Sequence, residues 1–338
     1  MQVTRVLTVG RFADRELGRS NFTARVIGTG SRATYLEEPE GEILWLSPPG
    51  SILHRRCVLV PLDKGSLREG DVCRRDGSVL RCGRHVLIAL DGAVWEAAPS
   101  GSASVTSDGG AAALTRGLGA LTLRYQPRGL AQLVFGFAAS AQRLGRAGEG
   151  QMGGWLDLAS GRVRDVVRAL RARDAAGLLL AGSALVGLGE GLTPSGDDFL
   201  GGLLFGLRQQ ECADFDETWI DRDMVRDWVT SASMLTNRIS HAILSDLAAG
   251  YGPEPLHALA RETLMGGSCE GIARQAERVI RIGHTSGWDM LAGLSAALLS
   301  DVPSTENGDV AARRERRPLV ESSGGIRMRI AAGGIHGS

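Results

Sequence analysis

Two short stretches of the chain, Ser195-Gly196-Asp197-Asp198 and Ser286-Gly287-Trp288-Asp289, place hydroxyl, carboxylate and glycine residues where helices are expected to begin. They echo each other: between 195–203 and 286–294, six of nine positions are identical at an offset of 91. In each, Ser precedes Asp by three residues ahead of an apolar run, which reads as a capping box with Asp in the place of Glu or Gln. The first turn of a helix exposes unpaired N–H groups and a partial positive charge, and a glycine beside it lets another backbone or a ligand come close. If the two starts meet, Thr193, Ser195, Thr285 and Ser286 enclose a polar pocket suited to a small anion. The carboxylates there could also hold a Mg²⁺ that bridges to a phosphate.

Adjacent carboxylates point to different faces of a helix. The spacing therefore assigns Asp198 to capping and Asp197 to the ligand, as a metal ligand or general base. Asp289 aligns with Asp198 and takes the capping role in the second copy. His284 is placed to donate to an anion or shuttle a proton, so Asp197, Asp198 and His284 are the catalytic candidates. Arg238 and Ser240 share an early helical turn, where the guanidinium could clamp a carboxylate or form an ion pair between domains. His241 reads as packed, and Trp288 as core or pocket wall. The loop before the first copy, Gly187-Leu188-Gly189-Glu190-Gly191-Leu192-Thr193-Pro194, holds more glycine than a stop between helices needs, which adds Gly189, Gly191 and Gly196 to the binding candidates.

Two glycine chemistries are excluded. A dinucleotide fold needs a strand before its glycines, and 175–187 has helical texture; a phosphate-loop NTPase needs Gly-Lys-Ser/Thr. Lys64 is the sole lysine among 38 basic residues, and it sits in a turn far from these motifs.

The stretch from Gly187 to Leu200, followed by Gly283-His284-Thr285-Ser286-Gly287-Trp288-Asp289, resembles a bacterial family of unknown function. That family includes the small subunit of the oxamate carbamoyltransferase of anaerobic allantoin breakdown. The Thr236-Asn237-Arg238-Ile239-Ser240 block, with Leu244 and Ala248-Ala249-Gly250 after it, is similar to the family's middle portion. The resemblance covers about 180–300. It implies a subunit of a multi-subunit carbamoyltransferase-type assembly that handles carbamoyl phosphate, phosphate or an oxamate-like carboxylate. A non-catalytic scaffold or ligand sensor, and a metal-dependent amide hydrolase using Asp197 and His284, are the alternatives. The Ser-Thr-Arg-Thr motif of the aspartate and ornithine carbamoyltransferases is absent, so any carbamoyl chemistry would use a different site.

The elements that must position these residues fall into two textures, giving an α+β expectation. Residues 1–125 alternate short apolar runs with turns, a β-rich domain in the form of a small barrel or sandwich. Hairpins are expected at 33–46, around Asp76-Gly77, and at Asp91-Gly92; 99–120, rich in Ser, Gly and Ala, reads as a loop. From Leu130 the apolar period lengthens to that of a helix. Helices follow at 162–173, 175–187, 196–211, 219–235, 237–249, 254–264, 269–282 and 287–300, an all-α bundle-like domain over 126–303. Residues 304–338 read as a flexible tail. With 38 acidic residues against 38 basic ones, the chain lacks the charge that drives nonspecific nucleic-acid binding. No apolar stretch is long enough to span a bilayer. Five scattered cysteines without a Cys-x-x-Cys pair suggest reduced thiols rather than a disulfide or zinc framework, so a cytoplasmic setting is expected.

Overall fold

The computed structural model describes residues 2–30, 32–84, 86–97, 107–135, 154–213 and 219–300. Its N-terminal part is a single ten-stranded sheet in the order β1-β9-β8-β7-β3-β4-β5-β6-β2-β10. The strands are β1 (Gln2–Arg5), β2 (Thr8–Gly10), β3 (Thr23–Thr29), β4 (Thr34–Glu37), β5 (Ile43–Ser47), β6 (Cys57–Leu59), β7 (Val72–Asp76), β8 (Val79–Cys82), β9 (Val86–Ala89) and β10 (Ala93–Trp95). The two ends of this order are tied by chain. Val6 donates to Ala89 on one edge (3.0 Å) while Leu7 donates to Leu59 on the other (2.8 Å). The sheet therefore curls on itself, burying Val26, Leu36, Leu44, Leu80 and Ile88 inside, with the short helix α1 (Arg11–Leu17) packed beside β2.

The hairpins at β4–β5 and β7–β8 form as expected, with Gly77 at φ +62 in the second turn. Asp91-Gly92 does not close a hairpin. β9 and β10 pair instead with β1 and β2, both in parallel. A type I′ turn needs positive φ at both central residues, and neither Asp91 nor Gly92 has it. Gly92 serves close approach: a Cβ there would lie 2.5 Å from Val6 Cγ1. Cys73 and Cys82 face each other across β7 and β8 and are joined as a disulfide, against the expected reduced thiols.

The C-terminal part is helical, as expected, and begins earlier than the composition suggests. Helix α2 (Ser107–Arg124) occupies much of the expected loop at 99–120. Its glycines are packing residues: a Cβ on Gly110 would meet the Thr263 carbonyl at 2.1 Å. Leu114, Leu118 and Leu121 turn a buried face toward the bundle. Residues 131–135 are helical. There follow α3 (Trp155–Ala172), α4 (Ala175–Ser183), α5 (Ser195–Ala213), α6 (Arg222–Ala232), α7 (Arg238–Ala248), α8 (Glu254–Leu264), α9 (Cys269–Val279) and α10 (Ser286–Leu298). The expected tail lies outside the described residues. No helix among those described is long and apolar enough to cross a membrane.

The nine-residue echo is the end of a longer repeat. Asp174 caps α4 by accepting from Gly177 N–H at 2.9 Å, and Ser268 caps α9 by accepting from Gly271 N–H at 3.0 Å, 94 residues on. Gly196 N–H then bonds Leu188 O, as Gly287 N–H bonds Ile282 O. The first loop is thus three residues longer than the second, which converts the offset of 94 into the 91 of the motif. The second helices of the two units, α5 and α10, cross with almost no side chain between them. A Cβ on Gly202 would lie 2.1 Å from Met290 O, and one on Gly293 would lie 1.9 Å from Phe199 O.

A buried ion pair fastens the sheet to the helices. Arg56, the residue before β6, donates from Nε to Asp246 Oδ2 at 2.7 Å and from Nη2 to Oδ1 at 3.0 Å, on α7. Its Nη1 reaches Glu42 and the Ile43 carbonyl, and its plane lies over Phe12. Such a pair contributes register more than net stability, because desolvation offsets much of the attraction.

Candidate functional site

Close crossing of α5 and α10 brings the two helix starts together, and the local geometry differs from two capping boxes. Ser195 and Ser286 are the first residues of their helices rather than the caps, and Thr285, at the cap of α10, makes no side-chain cap bond. This one-residue shift puts Ser and Asp at i and i+3 on one helix face, the face turned to the other copy. The pairing is crossed. Asp198 lies close to the side chains of Ser286 and Thr193, while Asp289 lies close to Ser195 and to Thr285 of its own copy. Thr193 Oγ1 and Ser286 Oγ close the arrangement at 2.9 Å.

Asp289 has a further task. Its Oδ1 accepts the Leu130 N–H at 2.6 Å, so it anchors the helical turn that starts at 131. Gly129 makes this possible: φ is +57, and a Cβ would lie 2.3 Å from that oxygen. Asp198 and Asp289 are 1% and 0% exposed. Burial raises both, Asp289 to about 7 and Asp198 well above the ordinary carboxyl range, where the neighbouring Asp289 charge adds to the effect. Neither takes part in an ion pair among the described residues, and one oxygen of each, Asp198 Oδ2 and Asp289 Oδ2, is buried with no hydrogen-bond partner.

Asp197, expected to face a ligand or Mg²⁺, is engaged inside the protein. Its Oδ1 accepts from Gly187 N–H at 2.7 Å, and its Oδ2 accepts from Ser240 Oγ at 2.6 Å and from Thr236 Oγ1. It ties the glycine loop and the start of α7 to α5. Its neighbour Asp198 lies behind the hydroxyls, and neither carboxylate lines the cleft. Among the described residues no group of three or more His, Cys, Asp and Glu is arranged to hold a metal ion.

Above the crossed motifs lies a cleft of about 1140 Å³. Thr193, Ser195, Thr285 and Ser286 line it, with Gly191, His284 and Trp288 from the expected set. Trp288 is nearly buried and meets Phe135 edge-on. Residues 185–298 match the family model described as oxamate carbamoyltransferase subunit AllH. No curated protein and no solved structure matches the chain. The AllH-like region takes in the glycine loop, both motifs and the helices between them.

The remaining candidates of the AllH-like region lie off the cleft. Arg238 pairs with Glu37 of β4, the inter-domain alternative, and does not line the cleft. His241 bonds the Val229 carbonyl at 2.9 Å. Gly189 and Gly196 shape the loop from behind: a Cβ on Gly189, at φ +119, would lie 2.7 Å from Ser195 N.

Several cleft residues were not anticipated, among them Tyr35, Tyr125 and Arg128, which fall outside the AllH-like region, and Glu277 and Arg281, which fall within it. Arg128 Nη1 lies 3.2 Å from His284 Nδ1, and no carboxylate pairs with it among the described residues. Pro127-Arg128-Gly129 ahead of the helical period at Leu130 is the signal that could have marked it. Tyr125 and Arg281 both bond Glu277 at the rim. Tyr35 reaches the cleft from β4, near enough to Asp198 to feel its charge; nothing local in the sequence points to it.

Proposed function

We propose that the cleft binds a small anion, carbamoyl phosphate, phosphate or an oxamate-like carboxylate, and that the chain works as a subunit of a carbamoyltransferase-type assembly. The observation that carries this reading is the meeting of two Ser-Gly-x-Asp helix starts at the floor of one cleft, beneath an arginine that pairs with no carboxylate among the described residues. The Gly196 and Gly287 N–H groups are held by loop carbonyls, so what the helix starts offer an anion is their positive end and the hydroxyls of Thr193, Ser195, Thr285 and Ser286. Arg128 and His284 stand over them, and a guanidinium can bond a carboxylate or phosphate through two N–H groups. The name of the matched family supports both the carboxylate ligand and the presence of partner subunits. Fixed donors of this kind also stabilise negative charge that develops during acyl or phosphoryl transfer.

Calorimetric titration of the purified chain with carbamoyl phosphate, phosphate and oxamate tests the reading. At least one is expected to bind, and Arg128→Ala to weaken it about tenfold or more, the equivalent of ~1.4 kcal/mol. Binding without turnover, with activity on adding the partner subunits, fits a subunit role. Absence of binding by the chain both alone and in the assembly refutes it.

A further inference from the structure

The anion reading uses the hydroxyls of the cleft floor and leaves unexplained the two carboxyl groups directly behind them. Asp198 and Asp289 occupy equivalent positions in the two copies, both fully buried where α5 and α10 cross, and each lies close to the serine of the other. Among the described residues no cation neutralises either, and each has one buried oxygen without a partner. Two carboxylates placed this way cannot both ionise without large cost, and a shared proton is the ordinary resolution.

We propose that Asp198 and Asp289 form a single proton-sharing unit that positions the floor hydroxyls, and that an anion entering the cleft draws one further proton onto it. The inference rests on the anion reading for its ligand. With only the shared proton on the pair, Ser195, Thr285 and Ser286 turn their protons inward to the carboxyl groups and Thr193 donates to Ser286, so the floor shows the cleft lone pairs, which repel an anion. A proton taken from solvent onto an Asp oxygen frees a hydroxyl to donate outward. The anion in turn favours the protonated pair, so affinity rises as pH falls.

The other charged groups around the pair are accounted for. On α5, Asp197 is held by Gly187, Thr236 and Ser240. Tyr35 lies near Asp198 from β4, and the Leu130 backbone N–H reaches Asp289 from the turn ahead of residue 131. Across the cleft stand Arg128, Glu190, Glu277, Arg281 and His284. Of these His284 is the rival proton acceptor.

The test is calorimetry of the full chain with sulfate, whose charge is constant in the range, in two buffers of different ionisation heat between about pH 5.5 and 8.5. The expected result is uptake of about one proton per sulfate near pH 7, lost in Asp198→Asn and Asp289→Asn and kept in His284→Gln. Binding without proton uptake, uptake unchanged in both Asn variants, or loss in His284→Gln overturns the proposal. If sulfate does not bind at any pH, the anion reading is what fails. The pair is then judged on wild-type protein alone, by the infrared carbonyl stretch of a protonated carboxyl. A band present near neutral pH and lost on raising the pH supports the pair; no band at about pH 6 overturns it.

Discussion

Gly293→Ala probes the contact on which the cleft depends. The added Cβ would stand 1.9 Å from the Phe199 carbonyl oxygen and 2.6 Å from Leu203 N, where ordinary contact begins at 3.4 Å. Both obstructing atoms are backbone within α5, so no side chain can swing aside, and α5 and α10 must separate by about 1.5 Å. Alanine is intrinsically the better helix former by ~1 kcal/mol, while overpacking a filled core costs typically about 1–3 kcal/mol and more where backbone must move. The expected net loss is ~2 kcal/mol, read as a lower urea midpoint with an unchanged slope. Gly161→Ala in α3 is the control: its Cβ would meet nothing within 4 Å, so only the propensity gain of up to ~1 kcal/mol remains. The same separation would pull Ser286 from Thr193, so anion affinity should fall alongside stability. If Gly293→Ala is as stable as the parent, the two helices are not in backbone contact, and the argument that places both motifs around one cleft is wrong.

Three further outcomes follow from the described contacts. Asp246→Ala strands the buried Arg56 guanidinium and should cost about 3–5 kcal/mol by chemical denaturation, with a smaller loss when Arg56→Met accompanies it. Asp197→Asn removes the charged acceptor shared by Gly187, Thr236 and Ser240 and should cost about 1–3 kcal/mol, with more rapid amide exchange in the glycine loop. Asp289 is held at about 7, above its unfolded value, so the folded chain binds the extra proton. The stability it contributes is complete below pH ~4 and is lost as pH rises to about 7. His54 and His257, held down to about 4 by burial, slope the opposite way below pH ~6.5. Subtracting the denaturation profile of Asp289→Asn from that of the parent isolates the aspartate; a flat difference contradicts the assignment.

Amphipathic periodicity made most of the helical half readable, because each helix buries a stripe and exposes the rest, as α9 does with Ile272, Ala276 and Val279 inward. The two motifs were readable as helix starts for the same reason. What sequence spacing could not supply was the register of one residue that moves Ser195 and Ser286 from cap to first turn. That shift turns two local caps into a crossed pair, and it is settled by the depth at which α5 and α10 interlock. Glycine misled twice, at Asp91-Gly92 and in α2, because a glycine needed for close approach looks the same in sequence as one needed for a turn. Tyr35 was invisible for a different reason. Only the curled sheet brings β4 over the helix starts, and long-range pairing leaves no trace in neighbouring residues.

The unequal loops of the repeated unit have a consequence for whatever enters between them. Equal arms would grip a guest identically from both sides and could not tell its ends apart. Here one arm is longer and carries Glu190 at the cleft, while the shorter brings His284 beside Arg128. On the proposed anion reading, a guest with one negative and one neutral end would therefore meet different neighbours at its two ends.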